Sequence, residues 1–280
     1  MRNRTRHCVP RPFAGIASAL LLAAALLAIA GLPVPSFVYY GEVVDAYGWP
    51  LTSDVPAYLI ARVNGRECGR SLIHEGRGPG INYRVEVPIG GGHVERPGDP
   101  VTFVLAMNGV EHPAMDPSQV PVVGQAGGLV RCNLCIGSDA DHDGLPDEWE
   151  SRIIGSSGGV FTNLAQVVGT DDFDGDGVNN RDEFLAGTDP TWDVEVLRIQ
   201  EIRMVPAAGR MGVAFFSVPG KTYRVTAADD MQGVFRSFPL ATTETGATGA
   251  DFWRGTGYYS WLYIDIPANT PLRFLRVEVE

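Results

Sequence analysis

Two twelve-residue stretches constrain this chain more than anything else in it. Asp139–Glu150 carries Asp139, Asp141, Asp143, Asp147 and Glu150 at positions 1, 3, 5, 9 and 12, with Gly144 at position 6. Asp172–Glu183 repeats the scheme with Asp172, Asp174, Asp176, Asn180 and Glu183, and Gly177 at position 6. In a strand, alternate side chains at 1, 3 and 5 would line one face and repel one another. A glycine at position 6 tolerates positive φ and lets the chain turn sharply. The side chains then converge on one point, and only a cation relieves their repulsion.

The donor set selects the cation. Calcium takes six to eight oxygens at about 2.3–2.6 Å, from carboxylates and backbone carbonyls. The carbonyls of Leu145 and Val178 fall at position 7, and Glu150 and Glu183 are placed to reach back with both oxygens. Magnesium keeps its waters and demands a small octahedron, so it fits this set poorly. The spacing therefore predicts two Ca²⁺ ions.

Short helices are expected after each loop, over 148–154 and 181–186, stopped by Gly155 and Gly187. No helix is expected before either loop. Residues 132–138 are poor helix material, and Gly169-Thr170 interrupts the second approach. Position 8 of the first loop is Pro146, which has no N–H to pair with a twin loop. Both loops fit the EF-hand pattern, but the pair with Gly187-Thr188-Asp189-Pro190 behind it resembles bacterial thrombospondin type 3 repeats. The first unit echoes this at Gly169-Thr170-Asp171, after an insertion over 152–168. Dockerins pair similar loops but usually carry Asp at position 12 and set the loops closer together. The resemblance implies calcium binding that stiffens a surface protein between domains, and no enzymatic activity.

The flanks read as β structure. Ile81 to Ile89 alternates apolar and polar residues, and Val55, Ala57, Leu59, Ala61 and Val63 form a second such face. Asn64-Gly65 and Asn108-Gly109 are two-residue hairpin signals. About seven strands over 37–136 predict an N-terminal β-sandwich. Tyr40-Gly41-Glu42-Val43-Val44-Asp45 resembles the carboxypeptidase-regulatory-like class. Further strands are expected at 213–218, 222–227, 258–266 and 272–279, giving a fibronectin-like domain over 194–280. Pro219-Gly220-Lys221-Thr222-Tyr223-Arg224-Val225 and Phe274-Leu275-Arg276-Val277 resemble a small β domain that follows such repeats in exported bacterial proteins. The expected fold class is mainly β: two β-sandwich domains joined by an EF-hand-like calcium-binding segment, 139–193, with short helices. That segment is poor in apolar residues, so metal is expected to supply much of its order and to set the hinge between the sandwiches.

Arg2, Arg4, Arg6 and Arg11 precede an apolar run from Phe13 to Leu32, and Ala28-Ile29-Ala30 supplies a cleavage site. Residues 1–30 thus read as a signal peptide, predicting a secreted or cell-surface protein with no membrane contact after cleavage. The net charge is −11, and 14 acids against two arginines lie between Asp139 and Asp193. That balance argues against nucleic acid as a partner. Export leaves Cys68, Cys132 and Cys135, and oxidising conditions favour a bridge from Cys68 to one of the other two. The lone CxxC, Cys132 to Cys135, lacks the second pair that zinc needs.

No HExxH, G-x-S-x-G or GxxxxGK[ST] occurs, and His142 sits at non-ligand position 4. The expected function is a calcium-binding modular protein and not an enzyme. The alternative is calcium-dependent adhesion to an envelope glycan or a surface protein. A secreted hydrolase ranks third. The aromatics Phe252, Trp253, Tyr258, Tyr259 and Trp261 read mainly as core, with a sugar-stacking platform as the functional alternative.

Overall fold

The computed structural model describes residues 34–90, 93–266 and 274–279. The expected signal peptide over 1–30 lies outside the described residues.

The chain is mainly β. Its first part contains β1 (Phe37–Gly41), β2 (Val43–Val44), β3 (Ala57–Val63), β4 (Arg66–Leu72), β5 (Tyr83–Val87), β6 (Val101–Met107), β7 (Val110–Met115), β8 (Leu129–Arg131) and β9 (Leu134–Ile136). A small sheet runs β5-β1-β8 and a larger one β2-β9-β7-β6-β3-β4. The chain crosses from the small sheet to the large one three times, between β1 and β2, between β5 and β6, and between β8 and β9. The first crossing falls at Glu42 and the last at Cys132-Asn133, and β8 and β9 pair in parallel with β1 and β2. One apolar cluster gathers Tyr39, Leu59, Tyr83, Val85, Phe103, Leu105 and Leu134 from both sheets.

Both expected hairpins form. Asn64 and Gly65 have φ 51° and 75°, and Asn108 and Gly109 have φ 53° and 78°. They pair Val63 with Arg66 and Met107 with Val110, because positive φ at both central residues matches the twist of the flanking strands. β5 alternates strictly between buried and exposed positions. Val55 departs from the expectation: it precedes β3 and is exposed.

The cysteine expectation is corrected. Cys68, Cys132 and Cys135 are all free. Cys135 turns away from the N-terminal core, into the cluster around Trp149, whereas Cys132 lies within that core. Their thiols face separate acceptors: Cys68 the carbonyl of Ala61 at 3.2 Å, Cys132 the Asp116 carboxylate at 3.2 Å, Cys135 the carbonyl of Met115 at 3.7 Å.

After the middle segment come β10 (Glu201–Val205), β11 (Arg210–Phe216), β12 (Thr222–Ala228), β13 (Arg236–Ser237), β14 (Leu240–Ala241), β15 (Trp253–Arg254), β16 (Tyr259–Asp265) and β17 (Phe274–Val279). They form sheets β10-β11-β16-β14 and β13-β12-β15, with β17 also on β12. Val213, Phe215, Tyr223, Val225, Leu262 and Ile264 make a second core. Of the five aromatics in question, Trp253 packs against this core, and Tyr258 is exposed.

The middle segment is not the apolar-poor hinge expected from composition. Leu145, Trp149, Ile153, Val167 and Phe184 form a core with Cys135, and Val44 and Met115 of the large sheet pack against it. The segment thus borrows the edge of the N-terminal sheet as its floor. Trp149 meets Phe184 edge-to-face at 5.4 Å, joining the two loop units.

Its far end touches both β parts. Trp49 Nε1 donates to the carbonyl of Gly187 at 2.9 Å, and Lys221 Nζ donates to that of Leu185 at 2.8 Å. Gly48, at φ 80°, lies so close to the carbonyl of Phe184 that a Cβ would collide with it. The two β parts also meet directly, through Gly80 N–H to Thr222 Oγ1 at 3.1 Å and Arg254 to Glu75 at 2.9 Å.

Candidate metal centre

The two acidic stretches fold into the same loop. In the first, the Asp139 carboxylate accepts from the N–H groups of His142 and Gly144, at 2.7 and 3.0 Å. In the second, Asp172 accepts from Gly175 and Gly177, at 2.8 and 2.9 Å. Asp143 accepts from Leu145 N–H at 2.8 Å, and Asp176 from Val178 N–H at 2.7 Å. Position 6 is left-handed in both, with Gly144 at φ 92° and Gly177 at φ 96°. Position 4 is left-handed too: Gly175 has φ 80°, and His142 takes φ 64° without glycine's freedom.

Each loop runs into a helix, α1 (Asp147–Ser156) and α2 (Asn180–Ala186). Among the described residues no helix precedes the first loop: β9 leads into it directly. Asn179 caps α2 by accepting from Asp182 N–H at 2.8 Å, and Gly187 ends it at φ 76°. α1 runs through Gly155 to Ser156, beyond the expected stop. The second unit backs onto the first, since Arg181 lies over Gly144 and donates to the carbonyl of Pro117 at 3.1 Å.

The predicted ligand residues divide into two groups. Asp139, Asp141 and Asp143 bring carboxylate oxygens within 4.8 Å of one another, and so do Asp172, Asp174 and Asp176. Glu150 and Glu183 are fully buried, and all four of their oxygens lack a hydrogen-bond partner. Among the described residues nothing donates to the carbonyls of Leu145 or Val178. Position 9 behaves differently. Asp147 accepts from Ala140 N–H at 2.7 Å and from Ser138 Oγ at 2.5 Å. Asn180 accepts from Phe173 N–H at 3.3 Å and donates to the carbonyl of Val168 at 2.9 Å. These side chains brace position 2 of their own loops, a role the spacing alone did not reveal.

The electrostatics follow from this geometry. Burial pushes the Glu150 carboxyl up to about 8, and Asp141, Asp143, Asp147 and Asp139 push it the same way. Burial likewise raises Glu183 to about 8, helped by Asp174, Asp176 and Asp172. Asp143 and Asp174 are also held above the ordinary carboxylate range, chiefly by burial. A buried carboxylate without a partner is costly, and here it faces three more carboxylates. One divalent cation per loop would satisfy the orphaned oxygens and reverse every one of these shifts.

No known protein family, curated protein or solved structure matches the chain.

Proposed function

We propose that this is an exported calcium-binding modular protein, with two β-sandwich units joined by a segment related to thrombospondin type 3 repeats. Each loop takes one Ca²⁺. Asp139, Asp141, Asp143, Glu150 and the carbonyl of Leu145 would hold the first, and Asp172, Asp174, Asp176, Glu183 and the carbonyl of Val178 the second. Asp147 and Asn180 would shape the loops from behind. The observation that carries the reading is the pair of fully buried glutamates, Glu150 and Glu183, with no partner at any oxygen. An all-oxygen, carboxylate-rich set on a flexible loop suits calcium over magnesium or zinc. The signal-like residues 1–30 support export.

The function is structural. The calcium segment is seated on the N-terminal sheet and gripped at the end of α2 by Trp49 and Lys221. Filling the loops would fix the helices that carry those contacts. Calorimetry tests the reading. Two ions should bind at about 10⁻⁴–10⁻³ M, as in extracellular modules, with Trp149 fluorescence reporting the first loop. No calcium heat at millimolar concentration, or unchanged binding in both Glu150→Gln and Glu183→Gln, would sink it. A second reading, adhesion to a glycan, is favoured by exposed aromatic rings on the C-terminal part.

A further inference from the structure

One sheet of the C-terminal part departs from the alternation expected of an antiparallel sheet. Met211, Val213 and Phe215 of β11, and Leu262 and Ile264 of β16, face the core. The opposite, outward face should be polar. It carries instead Gly212, Ala214 and Phe216, paired across the sheet with Tyr263, Trp261 and Tyr259. Gly212 is required there, because a Cβ would come within 2.7 Å of the Tyr263 ring and 3.1 Å of Trp261. Trp261 and Tyr263 stack at 6.0 Å across these small residues, and the Arg203 guanidinium covers Trp261 at 4.4 Å.

The other end of the aromatic row is open. Phe216 is 58% exposed and Tyr259 41%, with their rings 5.2 Å apart. Beyond Phe216 the row drops into a cavity of about 460 Å³, lined also by Trp192, which is 55% exposed. Glu195, Arg198 and Gln200 contribute polar groups to the cavity. Among the described residues, the Arg198 and Gln200 side chains make no hydrogen bond or ion pair.

We propose that this cavity and the open end of the aromatic row bind a neutral oligosaccharide. A pyranose ring has an apolar C–H face and a rim of hydroxyls that both donate and accept. Trp192, Phe216 and Tyr259 offer aromatic surface for the first. Arg198 supplies donors, Gln200 both donors and acceptors, and Glu195 acceptors for the second. Opposite charges on one wall give no net preference for an anion or a cation. A stable protein partner would cover about 800 Å² on each side, whereas three rings and one cavity suit a few sugar units.

This site deepens the adhesion reading and uses none of the predicted metal ligands, so it can fail without the calcium reading failing. The experiment is an array of neutral and acidic glycans probed with the full exported chain, in calcium and in EDTA. A tryptophan-fluorescence titration with the best neutral hit follows. Neutral oligosaccharides should bind. Trp192→Ala and Phe216→Ala should each weaken binding at least about tenfold, since each removes a wall. Tyr58→Ala, on the N-terminal part, should leave it unchanged. Both cavity residues are over half exposed, so melting curves of the variants should match the parent. Binding to no neutral glycan, preference for acidic ones, or unchanged affinity in both cavity variants overturns the proposal. Glycan binding that persists in EDTA, together with absent calcium heat, would leave this site standing and reject the calcium reading.

Discussion

Replacing Glu183 with glutamine should change stability in opposite directions with and without calcium. The side chain is fully buried, neither oxygen has a partner, and its carboxyl is pushed up to about 8 from an ordinary 4.5. The folded metal-free protein therefore holds the proton more tightly than the unfolded chain does. Such a group favours folding fully below the unfolded pKa, and that stability is lost as pH rises through the folded one. By pH 7 about 3 kcal/mol has gone, and by pH 9 about 5 kcal/mol, at 1.36 kcal/mol per pH unit. Glutamine leaves similar unsatisfied atoms but has no proton to lose. In EDTA at pH 7, Glu183→Gln should thus be the more stable protein by about 3 kcal/mol relative to its own pH 4 difference. In calcium at one hundred times Kd, the parent gains about 2.7 kcal/mol from that site, and the variant should lose most of it. Thermal unfolding at pH 4, 7 and 9, with and without calcium, reads both effects. If the difference between variant and parent in EDTA does not shift in the variant's favour between pH 4 and pH 9, Glu183 is not an unpaired buried acid, and the reasoning fails.

Other outcomes follow from the same geometry. Because Glu150 and Glu183 both sit near 8, calcium binding at pH 7 should expel close to two protons per chain and almost none at pH 10; calorimetry in two buffers of different ionisation heat measures this. Gly48→Ala should cost more than about 2 kcal/mol, since φ is 80° and a Cβ would strike the carbonyl of Phe184; a melting shift no larger than that of an exposed alanine substitution would contradict it. Burial lowers the Lys221 amine to about 8. A lowered lysine disfavours the folded state at neutral pH, so the parent should gain stability relative to Lys221→Met as pH rises from 8 to 10.5. In native mature protein a thiol reagent should reach at most half-buried Cys68, while Cys132 and Cys135 react only on unfolding.

The loops and hairpins were readable because their signals are local. Asn64-Gly65 demands positive φ whatever surrounds it, and Gly144 and Gly177 take the left-handed turn that their position implies. The bracing of position 2 by position 9 was not legible in the spacing, because a ligand and a brace use the same residue types. The borrowed core was hidden for a different reason. Val44, Met115 and Cys135 are ordinary strand residues in sequence, and nothing local says that they face Trp149 rather than the N-terminal core. A bridge from Cys68 to Cys135 failed on the same point, since the side of the strand on which Cys135 lies is a tertiary fact, while Cys132 shares a core with Cys68 but turns its thiol to Asp116. β10, a five-residue edge strand, went unread although Glu201-Ile202-Arg203-Met204 alternates polar and apolar, and its Ile202 and Met204 side chains are exposed.

Trp149 and Phe184 meet within one small core whose floor is the N-terminal sheet, and the end of α2 is held by Trp49 and Lys221. A tandem array grows by adding copies whose ends are open to the next. Here both ends are closed by something that is not another copy. A third unit inserted after Gly187 would have to part Leu185 from Lys221 and lift Trp49 off its carbonyl. This pair of loops is therefore a finished piece of fixed length, and the spacing between the two β parts cannot be tuned by gaining or losing repeats.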